Sequence, residues 1–216
     1  MTAGNDMLRR AQEAIEKGDA EAAAELAKQG LAQGMDGIEL LDKGFIPGIN
    51  KVGDLFGEGQ LFLPELIMSA NAMQGVIEII NAELEKVGKK QAQGKIVLGT
   101  VEGDLHDIGK TIVVSLLKAN GFEVKDLGRD VSVSRFIEEA EAFNADIIGT
   151  SALLTTTMSV QKELEDKLKE KGLKGKFKTI VGGAPVTERW AKRIGADAYA
   201  ADATDGVRKI KELLSH

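Results

Sequence analysis

The sequence contains no cysteine, and that single absence removes disulfides, thiolate zinc sites, iron–sulfur ligation, cysteine nucleophiles and thiol redox chemistry together. Histidine is almost as scarce, with His106 and the C-terminal His216 the only two. A zinc or iron site made of several imidazoles would need the last residue to fold back, so any metal here must arrive with most of its ligands already supplied. Basic residues are scattered and the formal net charge is −6. That leaves no electrostatic footprint for a phosphate backbone and argues against nucleic acid as a partner. No apolar run approaches the roughly 18 residues of a membrane span, and Met1 to Arg10 is followed by no signal-peptide core. The expectation is a cytoplasmic protein with no membrane partner.

What is present is an ordinary globular composition, 216 residues with 43% apolar and 29% charged side chains, enough for one large domain or two small ones. The chain changes character near residue 90. Up to Lys90 there are three valines (Val52, Val76, Val87) among many Ala, Glu, Leu and Lys residues, whereas eleven valines follow from Lys95 onward. β-Branched residues suit strands and straight-chain residues suit helices, so a helical part precedes a part containing a sheet.

In the first part the apolar spacing predicts four helices. Asp19 is a candidate cap for the second, Pro47 interrupts the third (Gly37 to Leu55), and Pro64 is tolerable in the first turn of the fourth. A small four-helix bundle is expected over residues 1–88. Residues 89–94, inside the lysine- and glycine-rich stretch Lys86 to Lys95, read as a linker. In residues 95–216, five short apolar runs alternate with five helical stretches. This pattern implies an α/β domain with a doubly wound, parallel five-stranded sheet of flavodoxin- or Rossmann-like type.

In such sheets ligands bind beyond the carboxyl ends of the strands, where the strand order reverses. With the order 2-1-3-4-5, the loops after the first, third and fourth strands are neighbours: Glu102 to Gly109, Ser151 to Thr157, and Gly182 to Pro185. His106 lies two residues after Asp104, close enough for the carboxylate to hold its ring as a metal-bound imidazole is usually held. The same stretch also fits Asp104 or Asp107 only capping the next helix, beside an exposed histidine. Gly182-Gly183 fits a plain turn, and Ser151 and Thr155 to Thr157 fit helix caps.

Asp104-x-His106-x-x-Gly109, Ser151-x-Leu153 and Gly182-Gly183 together resemble the cobalamin-binding domain of methionine synthase and of the corrinoid proteins of methyltransferase systems. The stretch Val52 to Leu66 resembles the helical cap of that family, so the resemblance covers nearly the whole chain. It implies cobalamin or a related cobamide (methylcobalamin in its loaded form) bound with its own base displaced, base-off and His-on. His106 would be the lower axial ligand of cobalt, Asp104 the carboxylate on its ring, and Thr157 the hydroxyl that completes the relay in place of the serine of methionine synthase. Ser151, Leu153, Gly182 and Gly183 would line the pocket for the displaced nucleotide tail, with Gly109 closing the first motif. Phe56 and Leu63 would cover the upper, methyl-bearing face; from spacing alone they fit a buried helical face instead. Trp190, Met68 and Met73 read as helix packing.

The implied activity is methyl carriage. Cobalt(I) accepts a methyl group from a substrate-specific methyltransferase and passes it, as methylcobalt(III), to a second methyltransferase acting on a thiol or tetrahydrofolate. A reductive activase is the third implied partner. The protein itself contributes no catalytic residue, since the chemistry belongs to the cofactor. The alternative, a cobalamin-dependent regulator or light sensor, would want a DNA-binding module that two domains in this length leave no room for. The methyl donor (methylamine, methanol, glycine betaine or a methoxyaromatic) and the lower base stay open at this point.

Overall fold

The computed structural model describes residues 3–86 and 93–215. Residues 89–92 of the expected linker, and His216, lie outside the described residues. The chain divides into two compact units, one comprising everything up to Gln93 together with Ser115–Gly121, the other Gly94–Val114 together with the chain from Phe122 onward.

The first unit begins with helix α1 (Ala3–Glu16) and α2 (Ala20–Ala32), the latter capped by Asp19, whose carboxylate accepts from Ala22 N at 2.9 Å. Next come α3 (Gly37–Leu40), a π-helical turn (Leu41–Phe45) and α4 (Ile46–Gly57), which run on without a break. Here the sequence expectation of an interruption at Pro47 takes a specific form. Proline has no N–H, and its ring crowds the carbonyl four residues back in a regular α-turn. The widened turn, in which Ile46 N donates to Leu41 O, carries the rod past it. The long α5 (Leu63–Lys86) completes the bundle. Glu65 reaches back to Phe62 N at 2.8 Å and satisfies an amide that the start of a helix leaves free. Ala11 and Ile15, Leu26 and Ala27, Phe45 and Ile49, and Met73, Val76 and Ile80 are all buried, one apolar stripe from each rod. Met68 departs from the packing role expected of it, because it is exposed on α5.

From Gly94 onward the chain alternates β1 (Lys95–Thr100), α6 (Ile108–Ala119, its residues from Ser115 grouping with the first unit), β2 (Glu123–Asp126), α7 (Val133–Phe143), β3 (Ile147–Ser151), α8 (Met158–Glu170), β4 (Lys178–Gly182), α9 (Glu188–Ile194), β5 (Ala198–Tyr199) and α10 (Ala203–Leu214). The strands form one sheet in the order β2-β1-β3-β4-β5, and every pairing is parallel. Right-handed crossovers place α6 on one face and α7, α8 and α9 on the other. On that second face Val97, Ile148 and Val181 of the sheet meet Phe136, Ile137, Leu164 and Ile194 of the helices in a continuous core. Burial on both faces explains why the strands read as apolar runs rather than alternating ones. The order reverses between β1 and β3, so the loops after these two strands open a crevice at their carboxyl ends. No helix among the described residues is long and apolar enough to cross a membrane.

Candidate functional site

Asp104 follows β1 and is fully buried, an unusual position for a carboxylate. Its Oδ1 accepts from His106 Nδ1 at 2.8 Å and from His106 N at 3.1 Å. Its Oδ2 accepts from Leu153 N at 2.7 Å, Leu154 N at 3.2 Å and Thr157 Oγ1 at 2.8 Å. The two oxygens thus tie the loop after β1 to the loop after β3. Burial, the largest single influence, pushes the carboxyl up, but the bonds from His106, Leu153 and Thr157 outweigh it and hold it well below the usual carboxylate range. Asp104 is therefore an anion that only accepts. The reading of Asp104 as a cap of α6 fails, since its side chain turns to the β3 loop.

An acceptor at 2.8 Å from Nδ1 fixes the tautomer of His106, because the ring proton must sit on Nδ1 to bond it. The lone pair of Nε2 is then left for an external acid or a metal. The His106 side chain is 55% exposed while its partner is wholly buried, so the ring is anchored at one edge and open at the other. Its backbone is fixed as well, with Thr100 Oγ1 donating to His106 O at 2.9 Å. Around it Leu105 and Ile108 are 66% and 70% exposed, and Leu153 and Leu154 are exposed too. Four large apolar side chains stand in solvent around one imidazole, an arrangement that marks a binding surface rather than scattered exposure.

Thr157, the N-cap of α8, makes no capping bond with its side chain. Its hydroxyl instead points at Asp104 Oδ2 and, at 2.9 Å, at Leu154 O, so one proton serves two acceptors. Ser151 is the cross-strand partner of both Thr100 and Gly182. Gly183 lies against the backbone of Ala152, and a Cβ placed on it would fall 1.9 Å from Ala152 O. At Gly182 a Cβ would meet only ordinary contacts at 3.5 Å or more, and at Gly109 it would meet nothing within 4 Å. The glycine pair thus contains one position that the fold requires and one that it does not.

Two further residues belong to this site and carry no motif. Gln161 on α8 is buried, and its Nε2 donates to Thr150 O and Gly182 O, both at 3.3 Å. Its Oε1 accepts from Trp190 Nε1 at 3.0 Å, so Trp190 does more than pack a helix. Asp130, in the loop after β2, accepts from Gly103 N at 2.7 Å. A polar residue on a charged helix and an aspartate in a turn give no signal that would have found either.

Phe56 and Leu63 lie in the helical unit. The buried-face reading fails for them, because Phe56 is in the last turn of α4 and Leu63 opens α5. Both are half-buried, and between them Phe62 is 75% exposed.

Residues 94–211 match the B12 binding domain family, and residues 7–81 match a second B12 binding domain family. The trimethylamine corrinoid protein 2 of Methanosarcina acetivorans is 47% identical over 215 residues, covering 99% of each chain. The dimethylamine corrinoid protein 1 of Methanosarcina mazei is 46% identical over 217 residues, again 99% of each. Among solved structures, a cobalamin-binding protein from Desulfitobacterium hafniense superposes with TM-score 0.78 at 36% identity, over 94% of this chain and 96% of that one. The methanol:cobalamin methyltransferase complex MtaBC from Methanosarcina barkeri gives 0.81 at 32% identity, over 98% and 80%.

Proposed function

Because the chain belongs to the B12-binding corrinoid proteins of methyltransferase systems, we propose that it holds a cobalamin or related cobamide base-off on His106 and carries methyl groups taken from methylated amines. The observation that carries the reading is the buried Asp104 carboxylate, which commits the ring proton of His106 to Nδ1 and leaves Nε2 to bind a metal. The chain's residues fit a corrinoid on independent grounds. No internal contact calls for glycine at 109, where a Cβ would point into open space. The exposed Leu105, Ile108, Leu153 and Leu154 supply apolar surface of the kind a flat macrocycle covers. When bound, the corrinoid would supply the nucleophilic cobalt that takes up and hands on the methyl group.

The protein's own part is ligation, orientation and the exclusion of water. His106 would hold the cobalt, and Asp104 and Thr157 keep its ring aimed. Ser151, Leu153, Gly182 and Gly183 receive the displaced nucleotide tail. Phe56 and Leu63, from the helical part (residues 1–88), would shield the methyl group, and residues 95–216 would hold the cofactor. The relatives named for trimethylamine and dimethylamine support a methylamine methyltransferase as the donor's enzyme. A second methyltransferase, acting on a thiol or tetrahydrofolate, and a reductive activase complete the set of partners, all in the cytoplasm.

Three measurements test this. In protein grown with ¹⁵N-histidine and loaded with cobalt(II) cobalamin, the nitrogen coupling in the electron paramagnetic resonance spectrum changes from a triplet to a doublet. A triplet unchanged by the label would mean that the cofactor keeps its own base and that His106 is not the ligand. A trimethylamine or dimethylamine methyltransferase is expected to methylate the loaded protein, and methylation by a methanol-specific enzyme alone would overturn the choice of donor. For the upper face, trimming both Phe56 and Leu63 to alanine speeds photolysis of the bound methyl cofactor, because separated radicals are no longer held together. Equal rates in variant and parent would reduce the two side chains to packing.

A further inference from the structure

The loop that carries the candidate ligand is fastened on two sides. Towards β3 the fastening is the Asp104 carboxylate described above. Towards β2 two neighbouring residues hold it: Arg129, which reaches Leu105 O and Asp107 Oδ2, each at 3.5 Å, and Asp130, which bonds the loop twice. Its Oδ1 accepts from Gly103 N at 2.7 Å, and its own N donates to Asp104 O at 3.1 Å. One residue thus holds the amide and the carbonyl that bracket the Gly103-Asp104 dipeptide. The shorter of these bonds has the length of a charge-assisted one.

Asp130 sits at φ 53°, and the only other non-glycine residue at positive φ among those described is Asn144 at 52°. Asn144 is the C-cap of α7, where a left-handed residue is routine. Asp130 ends no helix, so its conformation costs energy that the surrounding structure must offset. The two bonds to the Gly103-Asp104 backbone are what that conformation achieves. Asp130 stands 27 residues from Gly103 in sequence, so the hold comes from the pairing of β2 with β1 and not from local turn geometry.

We infer that Asp130 is a positioning residue, which holds the loop from the β2 side so that Asp104 and His106 present the imidazole at a fixed reach. This rests on the reading of His106 as the metal ligand. Asp130→Gly isolates the effect, because glycine adopts positive φ freely and keeps the N–H to Asp104 O, losing only the carboxylate on Gly103. Asp130→Asn is the conservative partner, since it retains an acceptor and tolerates the left-handed region.

In the apoprotein, amide exchange at Gly103 should be about tenfold faster in the glycine variant and near the parent rate in the asparagine variant. In protein loaded with cobalt(II) cobalamin, the share of the histidine-coupled resonance signal should fall several-fold with glycine and recover with asparagine. Unchanged exchange at Gly103 in the glycine variant overturns the clamp. Faster exchange with an unchanged histidine-coupled share overturns the positioning role, leaving a bond that only stabilises the loop. Failure of the ligand reading shows separately, as a parent protein with no histidine coupling at all.

Discussion

Replacing Asp104 with asparagine is expected to destabilise the apoprotein by about 2–6 kcal/mol, the cost of leaving two buried donors unmatched at about 1–3 kcal/mol each, although the two side chains have the same shape. The reason lies in the direction of the bonds. Oδ1 faces two donors and Oδ2 faces three. An amide presents one oxygen and one NH₂, so whichever way it is turned, donors face donors on one side. Turned towards the β3 loop, the NH₂ opposes Leu153 N and Leu154 N; turned the other way, it opposes His106 N and Nδ1. In the second case His106 can escape only by moving its proton to Nε2, which withdraws the lone pair offered to the metal. Chemical denaturation of the apoprotein reads the stability, and the cobalt(II) spectrum of the loaded variant reads the loss of histidine ligation. An asparagine variant within about 1 kcal/mol of the parent, the worth of a single neutral hydrogen bond, would show that the carboxylate's charge is not needed.

Gly183→Ala and Gly182→Ala are expected to behave in opposite ways. At 183 a methyl group would fall 1.9 Å from Ala152 O and 2.7 Å from Ala152 C, main-chain atoms that no rotamer change can move. The residue also sits at φ 124°, which L side chains rarely adopt. Overpacking and backbone strain together cost about 3–5 kcal/mol. The displaced Ala152 is followed directly by Leu153, whose amide bonds Asp104, so damage at 183 reaches the histidine. At 182 the nearest atoms stand at 3.5 Å and 4.0 Å, room for a methyl. Gly182→Ala should therefore keep the parent's melting temperature and weaken only retention of the cofactor's tail. Thermal melts of the two apoproteins decide it: similar melting temperatures for both variants would contradict the division of labour within the pair.

The parts of the molecule legible in the sequence are those whose signal is local. The rise in valine marked the sheet because strands buried on both faces select β-branched residues whatever their topology. The five apolar runs are the five strands, and they pair in the order 2-1-3-4-5 on which the choice of loops rested. Asp104 and His106 were readable as a pair because two residues of separation bring the groups together in almost any loop. Other features depended on tertiary structure. Gln161 sits among lysines and glutamates on α8 and looks solvated, yet the helix turns that position inward. Asp130 reads as any turn aspartate until β2 pairs with β1. Phe56 and Leu63 have the spacing of one helical face, and only the turn between α4 and α5 places them on separate rods. Pro47 promised a break, and the chain absorbed it in a wider turn.

The bonds that aim His106 have a further meaning for the order in which the protein is made. Asp104 joins residues 49, 50 and 53 positions away, and loops of that length close late, after local contacts have formed. A nascent chain that has emerged only as far as α6 already contains the whole Asp104-to-Gly109 motif, but its imidazole is free to take either tautomer and any direction. Under the proposed function, His106 is aimed to hold a metal only once β3 pairs with β1 and delivers the amides of Leu153 and Leu154. On that reading the aim of the imidazole is a product of completed topology, and a chain that stops before β3 carries the whole motif without it.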